Sequence, residues 1–151
     1  MKKKIKFFWV IFIFLVGCGY EPIYSSKNIN FSINEIQKEN TQLNNEFTRA
    51  LKTFSNKNAL NQLKIKIDSK KNIEIKSKNS KGNPNVYELS ITLKIVLYEN
   101  NNNMIVEKVF NRNINFDNRD DKFELSQYEK ELEKLLINKI IEDVLKFLSN
   151  L

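Results

Sequence analysis

The sequence predicts an α+β fold, a two-layer sandwich with two amphipathic helices packed on one face of a mostly antiparallel four-stranded sheet, in the order β-α-β-β-β-α. Three observations predict it. Tyr87, Leu89, Ile91, Leu93, Ile95 and Leu97 fall on every second position, the period of a strand. Two other stretches, beginning near Gln42 and near Ser126, place apolar residues three and four apart, the period of a helix. Two helices that are each apolar on one side need a common surface to cover, and a sheet with one apolar face supplies it.

Each element has its own signal. Ile29, Phe31 and Ile33 alternate with Asn30, Ser32 and Asn34 and mark a first, half-buried strand. Leu43, Phe47, Ala50, Leu51 and Phe54 then give the stripe of the first helix. Leu63, Ile65 and Ile67 return to period two, and Ile73 and Ile75 continue that strand past a bulge or bend expected near Ser69 to Lys71. Lys78 to Asn85, with Gly82 and Pro84, is the clearest turn in the chain. The third strand, Tyr87 to Leu97, is long and uninterrupted enough to belong in the middle of the sheet. Asn100 to Asn103 make a loop, and Val106 to Phe116 a fourth strand. Ser126-Gln127-Tyr128-Glu129 has the form of a capping box, so the second helix is expected to start there, and behind it Tyr128, Leu132, Leu135, Leu136, Ile140, Val144, Leu145, Leu148 and Leu151 keep helical spacing.

Composition narrows the chemistry. The chain has no His and one Cys, so Ser-His-Asp, Cys-His and His-ligated metal sites are unavailable. Gly occurs only at 17, 19 and 82, which excludes a glycine-rich phosphate cradle. Acidic residues sit mostly beside lysines on solvated faces, so no enzyme, no metal and no cofactor are expected.

The single Cys closes a special stretch. Lys2, Lys3, Lys4 and Lys6 are followed by ten residues without a polar side chain, Phe7 to Val16. A ten-residue helix is only about 15 Å long, half the thickness of a bilayer core, so the segment suits a signal peptide better than a permanent span. Leu15-Val16-Gly17-Cys18 resembles the bacterial lipobox, which implies cleavage between Gly17 and Cys18 and a diacylglyceryl group on the Cys18 sulfur. Lipidated in this way, Cys18 anchors the chain to a membrane and is not free to form a disulfide. The expected organisation is a cleaved signal over residues 1–17, a lipidated segment over 18–27 and a single domain over 28–151. The signal carries four lysines and no acid, so 21 basic residues face 18 acidic ones after cleavage, and a nucleic-acid partner is not expected.

Cys18-Gly19-Tyr20-Glu21-Pro22-Ile23-Tyr24, the Tyr87-x-Leu89 strand with a partner ending Phe116-Asp117-Asn118, and a terminal amphipathic helix together resemble the outer-membrane lipopolysaccharide-assembly lipoprotein family, LptE. The resemblance spans nearly the whole chain, and its most specific part is the heptapeptide at the lipid site. It implies a non-enzymatic protein on the periplasmic side of the outer membrane that plugs the LptD β-barrel, helps it assemble and contacts lipopolysaccharide. The alternative is a stand-alone outer-membrane lipoprotein that binds a small lipid or peptide.

Two sets of residues are candidates for contact. If the second and third strands form a hairpin, its turn and the segment after the fourth strand lie at one end, bringing Lys78 and Lys81 toward Arg119 and Lys122. Phosphate groups could be met there by lysine as a point charge or by arginine bidentately. Tyr20, Pro22, Ile23 and Tyr24 form an expensive sequence for a mere linker, because exposed rings favour burial, and are expected to dock on the barrel or on the protein's own sheet.

Overall fold

The structure is a computed structural model and describes residues 31–56, 59, 61–98 and 103–151. The expected signal, Gly17, Cys18 and the segment Tyr20, Pro22, Ile23, Tyr24 lie outside the described residues, as do Ile29 and residues 100–102 of the Asn loop.

Six elements follow one another: β1 (Phe31–Lys38), α1 (Gln42–Phe54), β2 (Asn61–Lys78), β3 (Pro84–Tyr98), β4 (Met104–Asp117) and α2 (Lys122–Leu148). The predicted order is the observed one. The strands stand in the order β1-β2-β3-β4, with β1 parallel to β2 and the other pairs antiparallel. A parallel neighbour cannot be reached by a tight turn, and α1 is the crossover that makes the β1–β2 pair possible. β3 lies inside the sheet, as its unbroken alternation predicts.

One sheet face carries the core. Ile65 and Ile67 of β2, Leu89 to Leu97 at alternate positions of β3, and Phe110 and Phe116 of β4 are buried on it. Phe47 and Leu51 of α1 join the same cluster, as do Leu132, Leu136, Ile140 and Val144 of α2. Burying one such side chain contributes about 1.5–3 kcal/mol. α1 lies over β1 and β2, and α2 over β3 and β4. Phe110 meets Phe147 edge-on at 5.9 Å, fixing the last turns of α2 above β4.

Two local expectations are corrected. α2 begins at Lys122, one turn before the Ser126 box, because the Asp121 carboxylate accepts from the amides of Phe123 (2.7 Å) and Glu124 (3.1 Å). The amides that Ser126 was expected to cap already lie within the helix. The bend expected near Ser69 to Lys71 is absent: the β2–β3 ladder is regular from Lys64 to Ile75, and its shifts lie between Ile75 and Lys78. Ser69 and Lys71 break the apolar pattern for another reason. The Ser69 hydroxyl donates to Asn44 Oδ1 at 2.6 Å, and Lys71 pairs with Glu133 at 2.7 Å. The structure also shows an irregularity in β1 between Ile33 and Glu35, so Ile36 takes the next position beside Ile65. Strict alternation from Ile33 would have put Glu35 there.

Asn44 is the polar residue on which α1 hangs. It is 1% exposed, its amide nitrogen donates to the Glu39 carbonyl at 3.2 Å, and its Oδ1 receives the Ser69 hydroxyl. Thr41 caps the same helix by accepting from the Asn44 backbone amide at 3.2 Å. Both hydrogen-bonding groups of a buried side chain are satisfied, as burial requires.

Candidate functional site

The β2–β3 turn is built by Asn79. Its Oδ1 accepts from the amides of Lys81 and Asn83, both at 3.0 Å, and its carbonyl accepts from the Gly82 amide at 2.9 Å. Gly82 closes the turn with φ of +82°, a left-handed conformation that glycine adopts without steric cost. Lys78 is the last residue of β2 and Lys81 stands in the turn, both exposed.

The chain leaving β4 is tied to the base of this hairpin. The Asn118 amide donates to the Asn85 carbonyl at 2.8 Å, and its side-chain nitrogen donates to the Pro84 carbonyl at 3.1 Å. Arg119 and Lys122 therefore belong to the same end of the sheet as Lys78 and Lys81.

An aromatic chain supports that end. Tyr87 stacks on Phe116 at 5.5 Å, and Phe116 meets Tyr128 edge-on at 6.1 Å. The Arg119 guanidinium sits 4.2 Å from the centre of the Tyr128 ring, and it also approaches Glu124 at 3.8 Å. Arg119 is thus held by a cation–π contact and a long ion pair, an arrangement that fixes a guanidinium rather than leaving it to swing. Lys78, Lys81 and Lys122 have no ion pair among the described residues. Asp117, Asp120 and Asp121 share the end, and one of them, Asp121, is committed to capping α2.

The four basic residues do not play equal parts. Three are point charges with no ion pair among the described residues, suited to an anion of loose geometry, and one is a guanidinium held by two contacts. Sequence reasoning missed the residues that hold the site in shape: Asn79, Asn118, Tyr128 and Glu124. Asn79 had a readable signal, since Asn at the start of a Gly-containing turn favours such local bonds. The Tyr128–Arg119 contact had none, because it depends on how α2 leans on β4.

Beside this end, Lys76 bonds Glu88 at 2.8 Å across the open face of the sheet. That bond raises the Lys76 pKa above its ordinary value and, with help from Asn113, lowers that of Glu88. Two grooves lie between α1 and α2. One, of ≈ 670 Å³, is lined by residues such as Leu43, Lys71, Glu129, Lys130 and Glu133, and the other, of ≈ 540 Å³, by Arg49, Ala50, Lys134 and Ile137. Their charged walls are a poor match for a buried apolar ligand.

No family model and no curated protein matches the chain. Solved structures do. An uncharacterized lipoprotein B from Nitrosomonas europaea superposes with a TM-score of 0.60 at 15% identity, covering 85% of this chain and 91% of that one. A minor lipoprotein from Acinetobacter baumannii gives 0.60 at 10% identity over 81% and 94% of the two chains. The rare lipoprotein B from Shewanella oneidensis gives 0.53 at 12% identity over 78% and 98%. At these identities the likeness is one of architecture: the chain has the fold of these bacterial lipoproteins.

Proposed function

We propose that this chain is a non-enzymatic, lipid-anchored component of the lipopolysaccharide assembly machinery at the outer membrane. It plugs an LptD-type β-barrel from the periplasmic side, assists its assembly and contacts lipopolysaccharide. The observation that carries the reading is the basic hairpin end, where Lys78, Lys81 and Lys122 lack ion-pair partners among the described residues beside an Arg119 held on Tyr128. The lipobox resemblance of Leu15 to Cys18 and the likeness in fold to bacterial lipoproteins support it. In this reading Tyr20, Pro22, Ile23 and Tyr24 bind the barrel, and the acyl chains on Cys18 hold the protein at the membrane.

The deciding experiment is purification of the C-terminally tagged protein from native outer membranes in mild detergent. A large barrel protein recovered in equal amount supports the plug; recovery of the lipoprotein alone rejects it. For the anion site, Lys81→Glu with Lys122→Glu lowers lipopolysaccharide binding and leaves thermal stability unchanged. Equal binding by the reversed variant would remove the site.

A further inference from the structure

The β2–β3 turn leaves one of its own amides unused. The Asn79 amide donates to the Asn83 carbonyl at 2.8 Å and the Gly82 amide to the Asn79 carbonyl at 2.9 Å, while the Lys81 and Asn83 amides both donate to Asn79 Oδ1 at 3.0 Å. The Ser80 amide has no acceptor among the described residues. Asn79 and Ser80 are both exposed, so water reaches each of them.

The sequence singles out the same pair. Asparagine is among the chemically labile residues of proteins, and Asn79 is the only asparagine of this chain followed by Ser or Gly. A small following residue leaves its backbone nitrogen open to approach. Arg119 after Asn118 and Val86 after Asn85 are bulkier, and Pro84 after Asn83 has no N–H. Only the carbonyl carbon, Cα and Cβ of Asn79 separate its Cγ from the Ser80 nitrogen, so a bond between those two atoms closes a succinimide ring. Groups joined in this way react without the entropic cost of a collision.

We propose that Asn79 is a self-modifying residue: the Ser80 nitrogen attacks Asn79 Cγ, ammonia leaves, and the hairpin turn acquires a carboxylate as the protein ages. The Ser80 nitrogen gives its proton to hydroxide and bonds to Cγ, and the carbonyl electron pair moves onto Oδ1. The Lys81 and Asn83 amides already donate to that oxygen, so negative charge develops where two donors are in place. The Cγ–Nδ2 bond then breaks, Nδ2 takes a proton from water and leaves as ammonia, and the succinimide remains. Water adds to one ring carbonyl and opens the ring. Water is consumed and ammonia released in equal amount, and nothing is oxidised or reduced.

The surroundings favour both the step and its product. Lys78 and Lys81 flank the pair in sequence and have no ion pair among the described residues, so their field favours the developing anion. An aspartate at position 79 accepts from the same two amides, more strongly than a neutral oxygen does, and the turn survives the change. Ring opening on the main-chain side instead lengthens the backbone by a methylene and forfeits that fit. Asn44 is a natural control: its Oδ1 also accepts a hydrogen bond, but the amide that follows, that of Asn45, is tied to the Thr41 carbonyl at 3.0 Å.

The test holds the full lipoprotein at mildly alkaline pH, either folded in mild detergent or unfolded in urea, and follows the mass gain of amide-to-acid exchange by peptide mapping. The gain is expected at Asn79, about tenfold faster in the folded protein than in urea and faster than at Asn44 or any other asparagine. Ser80→Pro removes the attacking N–H. Proline suits the second position of a turn closed from Gly82 to Asn79 and gives up no hydrogen bond there, so this variant should melt with the parent protein and stay unmodified. If it does not fold, the folded and urea rates of the unaltered protein decide. A folded rate equal to or below that in urea would overturn the proposal, since the turn would then restrain Asn79 rather than activate it. So would a parental rate in Ser80→Pro, or a faster gain at another asparagine. None of these readouts involves a barrel or lipopolysaccharide, so the modification and the plug can fail separately.

Discussion

Ile65 and Ile67 in the first half of β2 are each 1% exposed, whereas Ile73 and Ile75, on the same face of the second half, are 37% and 48% exposed. Residue type, spacing and strand are the same. The difference is the layer above. α1 has 13 residues and spans about 20 Å at 1.5 Å each, while β2 has 18 residues and spans roughly 59 Å at 3.3 Å each. A helix rises less than half as far per residue as a strand, so a short crossover helix leaves part of a long strand bare. Alternation therefore says which face a residue points to, and only the helix lengths say whether that face is covered.

Five measurements bear on this contrast. The largest effect is expected from Ile67→Ala, which opens a cavity under α1 and should cost about 2–5 kcal/mol in urea unfolding. Ile75→Ser should stay within about 0.5 kcal/mol of the parent protein, and a cost comparable to that of Ile67→Ala would show that the second half is covered after all. Asn44→Ala tests the boundary between the halves. It takes the acceptor from the Ser69 hydroxyl, while the Glu39 carbonyl keeps the Thr41 amide, and should cost about 1–3 kcal/mol, read by the same unfolding curves.

Asp121→Ala removes the cap of α2 and should cost about 1 kcal/mol, with faster amide exchange confined to the first turn. It asks whether the layer over the hairpin end depends on that cap. The smallest effect is a pH dependence. The Glu88 pKa is lowered, chiefly by the Lys76 bond, so its contribution is present above the unfolded carboxylate pKa and is lost as pH falls through the folded one. Lys76 is raised, so its contribution is present below the unfolded lysine pKa and is lost as pH rises through the folded one. Glu88→Gln should lessen the acid-side fall in melting temperature; an unchanged acid limb would mean the exposed pair contributes nothing.

Most of the architecture was legible because the apolar residues keep clean periods. Tyr87 to Leu97 could only be a strand, and Leu132 to Val144 only a helix. The misreadings fall where a polar residue has a tertiary partner. Ser69 and Lys71 looked like a bend because a sequence does not show Asn44 and Glu133 waiting above them. Ser126 looked like a helix start because Phe123, 71% exposed, contributes nothing to the apolar stripe, which begins at Leu125. The basic end followed from topology alone, since a hairpin must place its turn beside the exit of the next strand but one. What Arg119 does there did not follow, because its partners Tyr128 and Glu124 come from α2.

The parallel pairing of β1 with β2 sets the poles of the molecule. Phe31 enters the sheet beside Asn61, and the Gly82 turn lies at the far end of the same strand. The 15 residues of β3 separate these poles by about 50 Å, more than the full thickness of a bilayer with its headgroups, about 40–45 Å. Phe31 and the lysine-bearing turn at Gly82 are thus held at opposite ends of the sheet, too far apart for one small ligand to touch both.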